Sequence, residues 1–444
     1  MPEKIRSYQE TLAFIHARPR LSFPRGEAAA RAALLLERCK EASGFPDQTV
    51  PAVHVTGTNG KGSFSTMLSY MLRASGKKTG LFISPYVLCY RERMQINGEM
   101  IPEKTLARII GSLIPAVEAL DREEKPVNEF ILGFAAAMIW FREEGCDIAV
   151  IEAGIGGAHD ATNALPRPLL SVIMGIGLEH TAVLGHTLAE IAGDKSAIIK
   201  GNPALLYPEQ ADEVTETVMK RCAETGSRLI MPSFSEIDIH REDLYGTEFS
   251  YGGNRYHLSL LGRYQIKNAV TAITAAETLG VTESAIRSGL ETARFPCRLE
   301  LVKERPPVLI DGGHNVHGLT ALAGSVHALF GENKPFMLTG MMRDKDFSDA
   351  LAQILPEVSR VYTVTVNNPR SASDHETAEA VRKNDREAIE AGNWKDGLAL
   401  ALTAAEKENK PLLIGGSLFL AADARAELTG ERYVKKSRLN CKNS

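Results

Sequence analysis

Short apolar runs, many of them β-branched, alternate with longer segments of helical periodicity through the first part of the chain. The segments between the runs, such as residues 63–75 and 129–143, repeat apolar residues at the helical period. The predicted strands are residues 53–56, 80–84, 147–152, 170–174 and 204–207. Continuous apolar strands separated by helices are typical of a parallel sheet with both faces covered. We therefore expect an α/β domain.

The pattern changes at residues 248–251 and 255–260, which predict a β-hairpin because Gly252-Gly253-Asn254 separates them. A helix is predicted over 265–279, and a second alternating series begins after residues 294–298. Its predicted strands are residues 308–311, 336–339, 361–366 and 412–415. A chain of 444 residues exceeds what one core usually serves. We therefore predict an N-terminal domain over 1–295 and a smaller C-terminal α/β domain over 296–444.

Composition narrows the class of protein. The formal net charge of -4 disfavours a general nucleic-acid binder, which usually has a basic excess. The six cysteines include no C-x-x-C pair, which suits a reducing cytoplasm. The longest apolar stretch, residues 130–141, is too short to span a bilayer and predicts a buried helix. We expect a cytoplasmic protein without a nucleic-acid or membrane partner.

The strongest chemical motif follows the first predicted strand and leads into a helix; it reads Gly57-Thr58-Asn59-Gly60-Lys61-Gly62-Ser63. Glycines let backbone N–H groups close around phosphate oxygens, and a helix N-terminus adds partial positive charge. Lys61 can reach the outer phosphates, and Ser63 offers a hydroxyl to magnesium. The spacing differs from the usual nucleotide loop, because two residues separate Gly57 from Gly60. The segment predicts binding of a nucleoside triphosphate.

Polar groups follow other predicted strands of the first domain. Ser84 ends the second strand, Glu152 ends the third, and His180 follows the fourth. Ligands collect at the carboxyl ends of parallel strands, so these groups predict a magnesium site with Glu152 as its strongest ligand.

Lys195 occupies an unusual position within a helix predicted over 188–200. It falls within the apolar stripe of that helix. A lysine in such a place either extends its amine to solvent or is neutralised, and the first is the more common outcome. In the second domain, Asp311-Gly312-Gly313-His314-Asn315 closes a predicted strand and indicates a ligand-facing rim, although structural α/β domains use similar turns.

These motifs together resemble the folate branch of the Mur ligase superfamily, the folylpolyglutamate and dihydrofolate synthases. The Gly62-Ser63 ending of the phosphate loop resembles this branch in particular. The matching segments, which cover almost the whole chain in order, are residues 57–63, 84–98, 152–163, 179–185 with Lys195, and 311–315. The resemblance implies a Mur-ligase-like fold, with a P-loop ATPase domain followed by a Rossmann-like domain.

The resemblance also implies roles for individual residues. ATP would lie on residues 57–63, with Lys61 on its phosphates. One Mg²⁺ would bind Ser84 and Glu152 with Ser63 nearby, and a second would bind His180 and Lys195. In this family the lysine is typically carbamylated, which would give it an anionic end. Further contacts to the nucleotide or to glutamate would come from Asn268, Arg298, Asp311 and His314. Contacts to the pterin would come from Asp160 and Ala161.

The implied reaction is formation of an amide by a monomeric enzyme. The γ-phosphoryl group of ATP would activate a folate-type carboxylate, dihydropteroate or a folyl polyglutamate, as an acyl phosphate. L-Glutamate would then displace phosphate. Lys61, Glu152, His180 and Lys195 would carry the catalysis.

Five residues at four sites differ from the usual family residues, and the first three of these sites are near the expected folate pocket. Tyr86 replaces histidine, Leu132 replaces threonine, Ala158-His159 replaces arginine-leucine, and Cys297 replaces glycine. Two alternatives therefore stay open: a Mur-type ligase acting on a non-folate acid, and a nucleotide-binding regulatory protein without turnover.

Overall fold

A computed structural model describes residues 7–43, 50–343 and 347–431. The described parts of residues 1–86, 90–236 and 268–292 form one compact unit, and those of 87–89, 237–267 and 293–444 form a second. The domain boundary near residue 296 stays a prediction. No helix in the described ranges is both long and apolar enough to cross a bilayer.

The first unit is built on a sheet that has eight strands within the described residues. In chain order they are β1 (Ala52–Thr56), β2 (Thr79–Phe82), β3 (Met94–Ile96), β4 (Glu99–Met100), β5 (Ile148–Glu152), β6 (Leu170–Ile173), β7 (Ala204–Leu206) and β8 (Leu229–Ile230). Their order across the sheet is β4-β3-β2-β5-β1-β6-β7-β8. The predicted parallel sheet is confirmed for β2, β5, β1, β6 and β7. The sequence analysis missed β8, which extends the sheet in parallel beside β7, and β3 and β4, which add an antiparallel edge beside β2.

Helices cover this sheet because the connections between parallel strands must cross from one end of the sheet to the other. They are α1 (Tyr8–His16), α2 (Glu27–Ser43), α3 (Lys61–Ala74), α4 (Glu103–Arg122), α5 (Glu129–Glu143), α6 (Thr181–Leu184), α7 (Leu188–Lys195), α8 (Asp212–Thr225) and α10 (Glu283–Thr292). Between α8 and α10, α9 (Arg263–Thr278) contains residues of both units. The prediction of a buried helix over 130–141 is confirmed, since α5 is buried along nearly its whole length.

One predicted helix is wrong at its C-terminal end. The helix expected over 188–200 ends at Lys195, and residues Ser196–Ile198 form a tighter 3₁₀ turn. The change of helix type rotates the later residues away from the α-helical stripe, so the periodicity that placed Lys195 does not extend to residue 200.

The second unit contains a small antiparallel sheet and a larger mixed sheet. The small sheet comprises β9 (Asp238–Asp243), β10 (Gly246–Tyr251) and β11 (Asn254–Leu258), which confirms the predicted hairpin and adds β9. The larger sheet has the order β12-β13-β17-β14-β15-β16, with β12 antiparallel to β13 and the other pairs parallel. Its strands are β12 (Glu300–Glu304), β13 (Pro307–Ile310), β14 (Phe336–Thr339), β15 (Arg360–Thr365), β16 (Ala388–Asn393) and β17 (Leu412–Gly415).

Five helices within the described residues pack on the larger sheet and bury its apolar faces. They are α11 (Val316–Phe330), α12 (Phe347–Ile354), α13 (Asp374–Arg382), α14 (Trp394–Glu408) and α15 (Leu418–Thr429). All four strands predicted for the C-terminal series are confirmed within two residues at each end. Buried parallel strands give continuous apolar runs, which is why these strands are easily found in the sequence.

Cys297 lies in a backbone conformation that favours glycine. Its φ is 57°, in the left-handed region, and its side chain is fully buried. The resemblance to the folate branch places glycine at this position, so the observed conformation gives a physical reason for that residue type.

Substitution at Cys297 is expected to separate backbone strain from packing. Cys297→Gly should change the free energy of unfolding by no more than about 1 kcal/mol. Glycine relieves the strain of the left-handed backbone, and this gain offsets a loss of similar size from removal of the small buried side chain. Cys297→Val should destabilise by about 2 kcal/mol, since a β-branched residue tolerates positive φ poorly. Urea unfolding midpoints measure both effects. A valine variant as stable as wild type would contradict the strain argument.

Candidate functional site

The loop between β1 and α3 has backbone angles that fit glycine at two positions. Gly57 and Gly60 have φ values of 147° and 83°. A Cβ atom on Gly57 would lie 2.7 Å from Met174 Cβ, and one on Gly60 would lie 2.6 Å from Asn268 Oδ1. The loop therefore packs closely against the residues after β6 and against Asn268, which the sequence analysis had assigned to nucleotide binding.

Backbone hydrogen bonds fix the first half of this loop. The N–H groups of Thr58 and Asn59 both donate to the carbonyl oxygen of Gly175, at 2.8 and 3.2 Å. The second half begins α3, whose first N–H groups have no acceptor within the helix by geometry. The N-terminus of α3 is therefore the part of the loop suited to binding an anion.

Two lysine side chains share one carbonyl oxygen in this loop. Lys61 Nζ donates to Gly57 O at 2.7 Å and to Thr58 O at 3.1 Å, and Lys195 Nζ donates to Gly57 O at 2.9 Å. The exposed fraction of Lys195 is 2%. The interpretation that Lys195 extends its amine to solvent is therefore wrong.

The environment of Lys195 favours its neutral amine. Burial and the neighbouring charge of Lys61 lower the pKa of Lys195 from 10.5 to about 7, although Glu179, Asp194 and Asp160 oppose the change. Above pH 7 most of the amine is unprotonated, whereas an ordinary lysine would be almost fully charged. A neutral amine is the form that reacts with carbon dioxide. The site therefore suits carbamylation of Lys195.

Glu152 and Ser84 are brought together, as the strand-end argument predicts. Glu152 ends β5, is 2% exposed, and accepts a hydrogen bond from Ser84 N–H through Oε2 at 3.1 Å. Ser63 is buried in the first turn of α3. A carboxylate and two hydroxyl groups are hard oxygen donors, which fit Mg²⁺ when nucleotide phosphates complete its coordination.

The second expected magnesium site fits only if Lys195 is modified. His180 precedes α6, and its Nε2 lies 3.3 Å from Glu179 Oε1. The amine of Lys195 donates a hydrogen bond to Gly57 O and offers no oxygen ligand. A carbamate on this lysine would supply the oxygen donors that magnesium prefers. Within the described ranges, no group of three or more His, Cys, Asp or Glu side chains is arranged to hold a metal ion.

Glu179 is a further candidate site residue, which the sequence analysis did not select. Burial opposes its ionisation, yet a hydrogen bond from His180 and the charges of Lys61 and Lys195 lower the pKa of its carboxyl group. Its position after β6 was the available signal, but only the fold shows that two lysines face it.

Asp194 is a second residue that the sequence analysis missed. Its Oδ2 accepts from Gly157 N–H at 2.7 Å, and its Oδ1 lies 2.5 Å from His159 Nδ1. The N–H of Ala158 donates to the Asp194 carbonyl at 2.9 Å. These bonds join the loop after β5 to the helix that ends in Lys195, and His159 is one of the residues that differ from the usual family pattern.

Asp160, the carboxylate expected to contact a pterin, accepts hydrogen bonds from neighbouring residues of its own loop. Asp160 Oδ2 accepts from Ile155 N–H at 2.8 Å, and Oδ1 accepts from the N–H and hydroxyl of Thr162 at 2.9 and 2.5 Å. Burial raises the pKa of Asp160, and these bonds oppose that rise. Ala161 is buried beside it in the core of the first unit.

The other unusual residues near the expected folate pocket are apolar or aromatic. Leu132 is fully buried in the core of the first unit, and Tyr86 packs against that core. The guanidinium of Arg93 lies 5.2 Å from the Tyr86 ring centroid and 5.9 Å from that of Phe130. The Arg93 guanidinium is thus held among aromatic rings, including Tyr86, beside the core of the first unit.

The predicted residues of the second unit gather at the end of β13. Asp311 accepts hydrogen bonds from Leu299 N–H at 2.8 Å and Gly313 N–H at 2.7 Å. Burial raises the pKa of Asp311, and the charge of Arg298 opposes the rise. His314 Nδ1 lies 3.0 Å from Gly312 O. Asp311 thus orders the turn that contains His314. Arg298 lies close enough to Asp311 to affect the charge of its carboxyl group.

A pair of alanine variants is expected to test the phosphate loop. Gly60 and Gly76 have nearly equal φ values of 83° and 86°, but space is open around Gly76. Both substitutions should cost about 1 kcal/mol of stability through backbone strain. Gly60→Ala alone should also displace Asn268 and weaken ATP affinity about tenfold or more, because the loop must shift. Equal ATP affinity in the two variants, measured by calorimetry, would contradict this assignment.

Models of known protein families match both the N-terminal and the C-terminal part of the chain. The Mur ligase middle domain family matches residues 55–276, and the Mur ligase glutamate ligase domain family matches residues 297–418. Folylpolyglutamate synthase from Lacticaseibacillus casei is 33% identical over 96% of this chain and 99% of its own length. Dihydrofolate synthase/folylpolyglutamate synthase from Bacillus subtilis is 31% identical over 95% of this chain and 99% of its own.

A solved structure agrees with these relatives over nearly the full length. Escherichia coli FolC in complex with DHPP and ADP has a TM-score of 0.81 and 26% identity, and the match covers 98% of this chain and 100% of that one. The predicted Mur-ligase-like α/β fold is confirmed. The chain belongs to the Mur ligase family, in its branch of folylpolyglutamate and dihydrofolate synthases.

Proposed function

We propose that this chain is an ATP-dependent ligase that joins L-glutamate to a folate-type carboxylate, either dihydropteroate or a folyl polyglutamate. The family assignment supports the reaction, and the E. coli relative binds ADP in its structure. The observation that carries the proposal for this chain is the convergence of Lys61, Lys195 and the N-terminus of α3 on one loop.

The reaction needs an activated acid, because a carboxylate has no good leaving group at neutral pH. The acid oxygen takes the γ-phosphoryl group of ATP, which yields an acyl phosphate and ADP. The amine of glutamate then attacks the acyl carbon, loses a proton, and expels phosphate as the amide forms. Bound Mg²⁺ supplies positive charge to the phosphate oxygens during transfer.

The chain's own residues hold the reacting groups in this scheme. Lys61 exchanges its carbonyl contacts for phosphate oxygens, and the α3 N-terminus binds the same anion. Glu152 with Ser84 and Ser63 would hold one Mg²⁺. His180 and carbamylated Lys195 would hold a second. Nucleotide or glutamate contacts from Asn268, Arg298, Asp311 and His314 are part of the proposal, as are pterin contacts from Asp160 and Ala161.

We also infer a monomer in the cytoplasm. Cys146, Cys222 and Cys297 are free thiols, and all three are buried. Unpaired cysteines are in keeping with a reducing compartment.

Phosphate release from ATP tests the proposed function. The assay contains Mg²⁺ and L-glutamate with dihydropteroate, with tetrahydrofolate, or with no acid. Release that requires both glutamate and a pterin acid is expected, and the preferred acid would define the activity. ATP binding without release on either acid would favour a different carboxylate. Binding without release on any acid and amino acid pair would favour a regulatory protein.

A further inference from the structure

His54 is buried in the first unit, where its imidazole contacts a neighbouring loop. It lies in β1, between β5 and β6, and has no exposed surface. Its Nε2 lies 2.8 Å from Thr162 Oγ1. Its Nδ1 has no hydrogen-bond partner among the residues that the structure describes.

His54, Thr162 and Asp160 form a series of hydrogen bonds that ends at the Asp160 carboxylate. Because a carboxylate only accepts hydrogen bonds, it fixes the direction of the other bonds in the series. Both carboxylate oxygens of Asp160 already accept backbone N–H groups, so the Thr162 hydroxyl donates to Oδ1. Thr162 Oγ1 then accepts from His54, which requires a proton on Nε2. Burial and the charge of Lys200 lower the pKa of His54 to about 3, so Nδ1 is unprotonated at neutral pH.

A histidine at this core position lowers the stability of the fold. A buried nitrogen without a partner destabilises a fold, and an apolar side chain at residue 54 would avoid that loss. A functional role for the hydrogen bond between His54 and Thr162 would explain why histidine is present. That bond prevents rotation of the Thr162 hydroxyl away from Asp160.

We propose that His54 is a positioning residue for the acid substrate, because it fixes Thr162 and, through Thr162, the Asp160 carboxylate. Asp160 in turn holds the loop of residues 153–160, which follows Glu152 and bonds to Asp194 beside Lys195. The inference rests on the proposed function, which assigns Asp160 and Ala161 to the pterin acid.

Two substitutions at Thr162 provide a matched test. Thr162→Val keeps the shape of the side chain and removes the hydroxyl, whereas Thr162→Ser keeps the hydroxyl. The valine variant is expected to raise KM for the pterin acid about tenfold, with KM for ATP within about twofold of wild type. The serine variant should match wild type for both substrates. His54→Phe should reproduce the valine variant, and the double variant should be no worse than either.

A purely structural role predicts a different result. In that case Thr162→Val would lower the thermal unfolding temperature and leave both KM values unchanged, which would overturn the proposal. Wild-type protein that uses no pterin acid would instead reject the proposed function, an outcome seen before any variant is compared.

Nuclear magnetic resonance of ¹⁵N-histidine-labelled protein tests the hydrogen bonds independently of turnover. The His54 signals are identified by their loss in His54→Phe. We expect Nε2 to carry the proton from pH 6 to 8 and its signal to shift in Thr162→Val but little in Thr162→Ser. A proton on Nδ1, or titration of His54 between pH 6 and 8, would overturn the proposed arrangement.

Discussion

Lys195→Ala is expected to lower kcat by about a thousandfold or more while the protein stays folded. The substitution removes the amine that carries the proposed carbamate and donates to Gly57 O. It also removes a desolvated group whose pKa is lowered to about 7 by burial, so stability should not fall much. Phosphate release in the presence of bicarbonate measures the loss, and circular dichroism measures the fold.

Controls distinguish a carbamate from a simple cation at Lys195. Lys195→Arg keeps positive charge, cannot be carbamylated, and should be as inactive as the alanine variant. Formate or acetate should partly restore Lys195→Ala, because a small carboxylate can occupy the space and supply oxygen atoms. In ¹³C-bicarbonate, wild type should show a carbamate signal that both variants lack. Near-normal turnover by Lys195→Arg would contradict the carbamate.

Glu152→Gln is expected to produce the second large loss, about a hundredfold in kcat at ordinary magnesium concentration. Glutamine has nearly the same shape and can still accept a hydrogen bond from Ser84 N–H, so the end of β5 should not move. The substitution removes a buried negative charge from the proposed magnesium site. Higher magnesium concentration should restore part of the activity, and a magnesium titration of phosphate release measures this.

Glu118→Gln is a suitable control for Glu152→Gln, because Glu118 is an exposed glutamate on α4. It removes the same charge from the surface and should leave the magnesium dependence unchanged. If Glu152→Gln has the magnesium dependence of wild type, Glu152 does not belong to the metal site.

The sequence predicts the local structure of this protein well where one physical signal dominates. Buried parallel strands require continuous apolar runs, so β1, β5, β14 and β17 are evident in the sequence. A glycine-rich turn between a strand and a helix identifies the phosphate loop. The strands β3, β4 and β8, at the two ends of the first sheet, are short and carry weaker apolar patterns, and they were missed.

The environment of Lys195 shows where sequence periodicity fails. The apolar pattern continues past residue 195 and predicts one helix to residue 200, whereas α7 ends at Lys195. Periodicity also cannot show whether the amine reaches solvent, since that depends on distant residues. Gly57, which is 138 positions away in the chain, accepts its hydrogen bond.

The sequence by itself determined the alternation of strands and helices, the phosphate loop, and the residue types at the strand ends. These features depend on neighbouring residues and on backbone geometry within a few positions. Only the tertiary structure decided that Lys61 and Lys195 share an oxygen, that Glu179 faces them, and that His54 contacts Asp160 through Thr162. Burial and charge at these groups arise from segments far apart in the chain, so no local pattern can specify their ionisation.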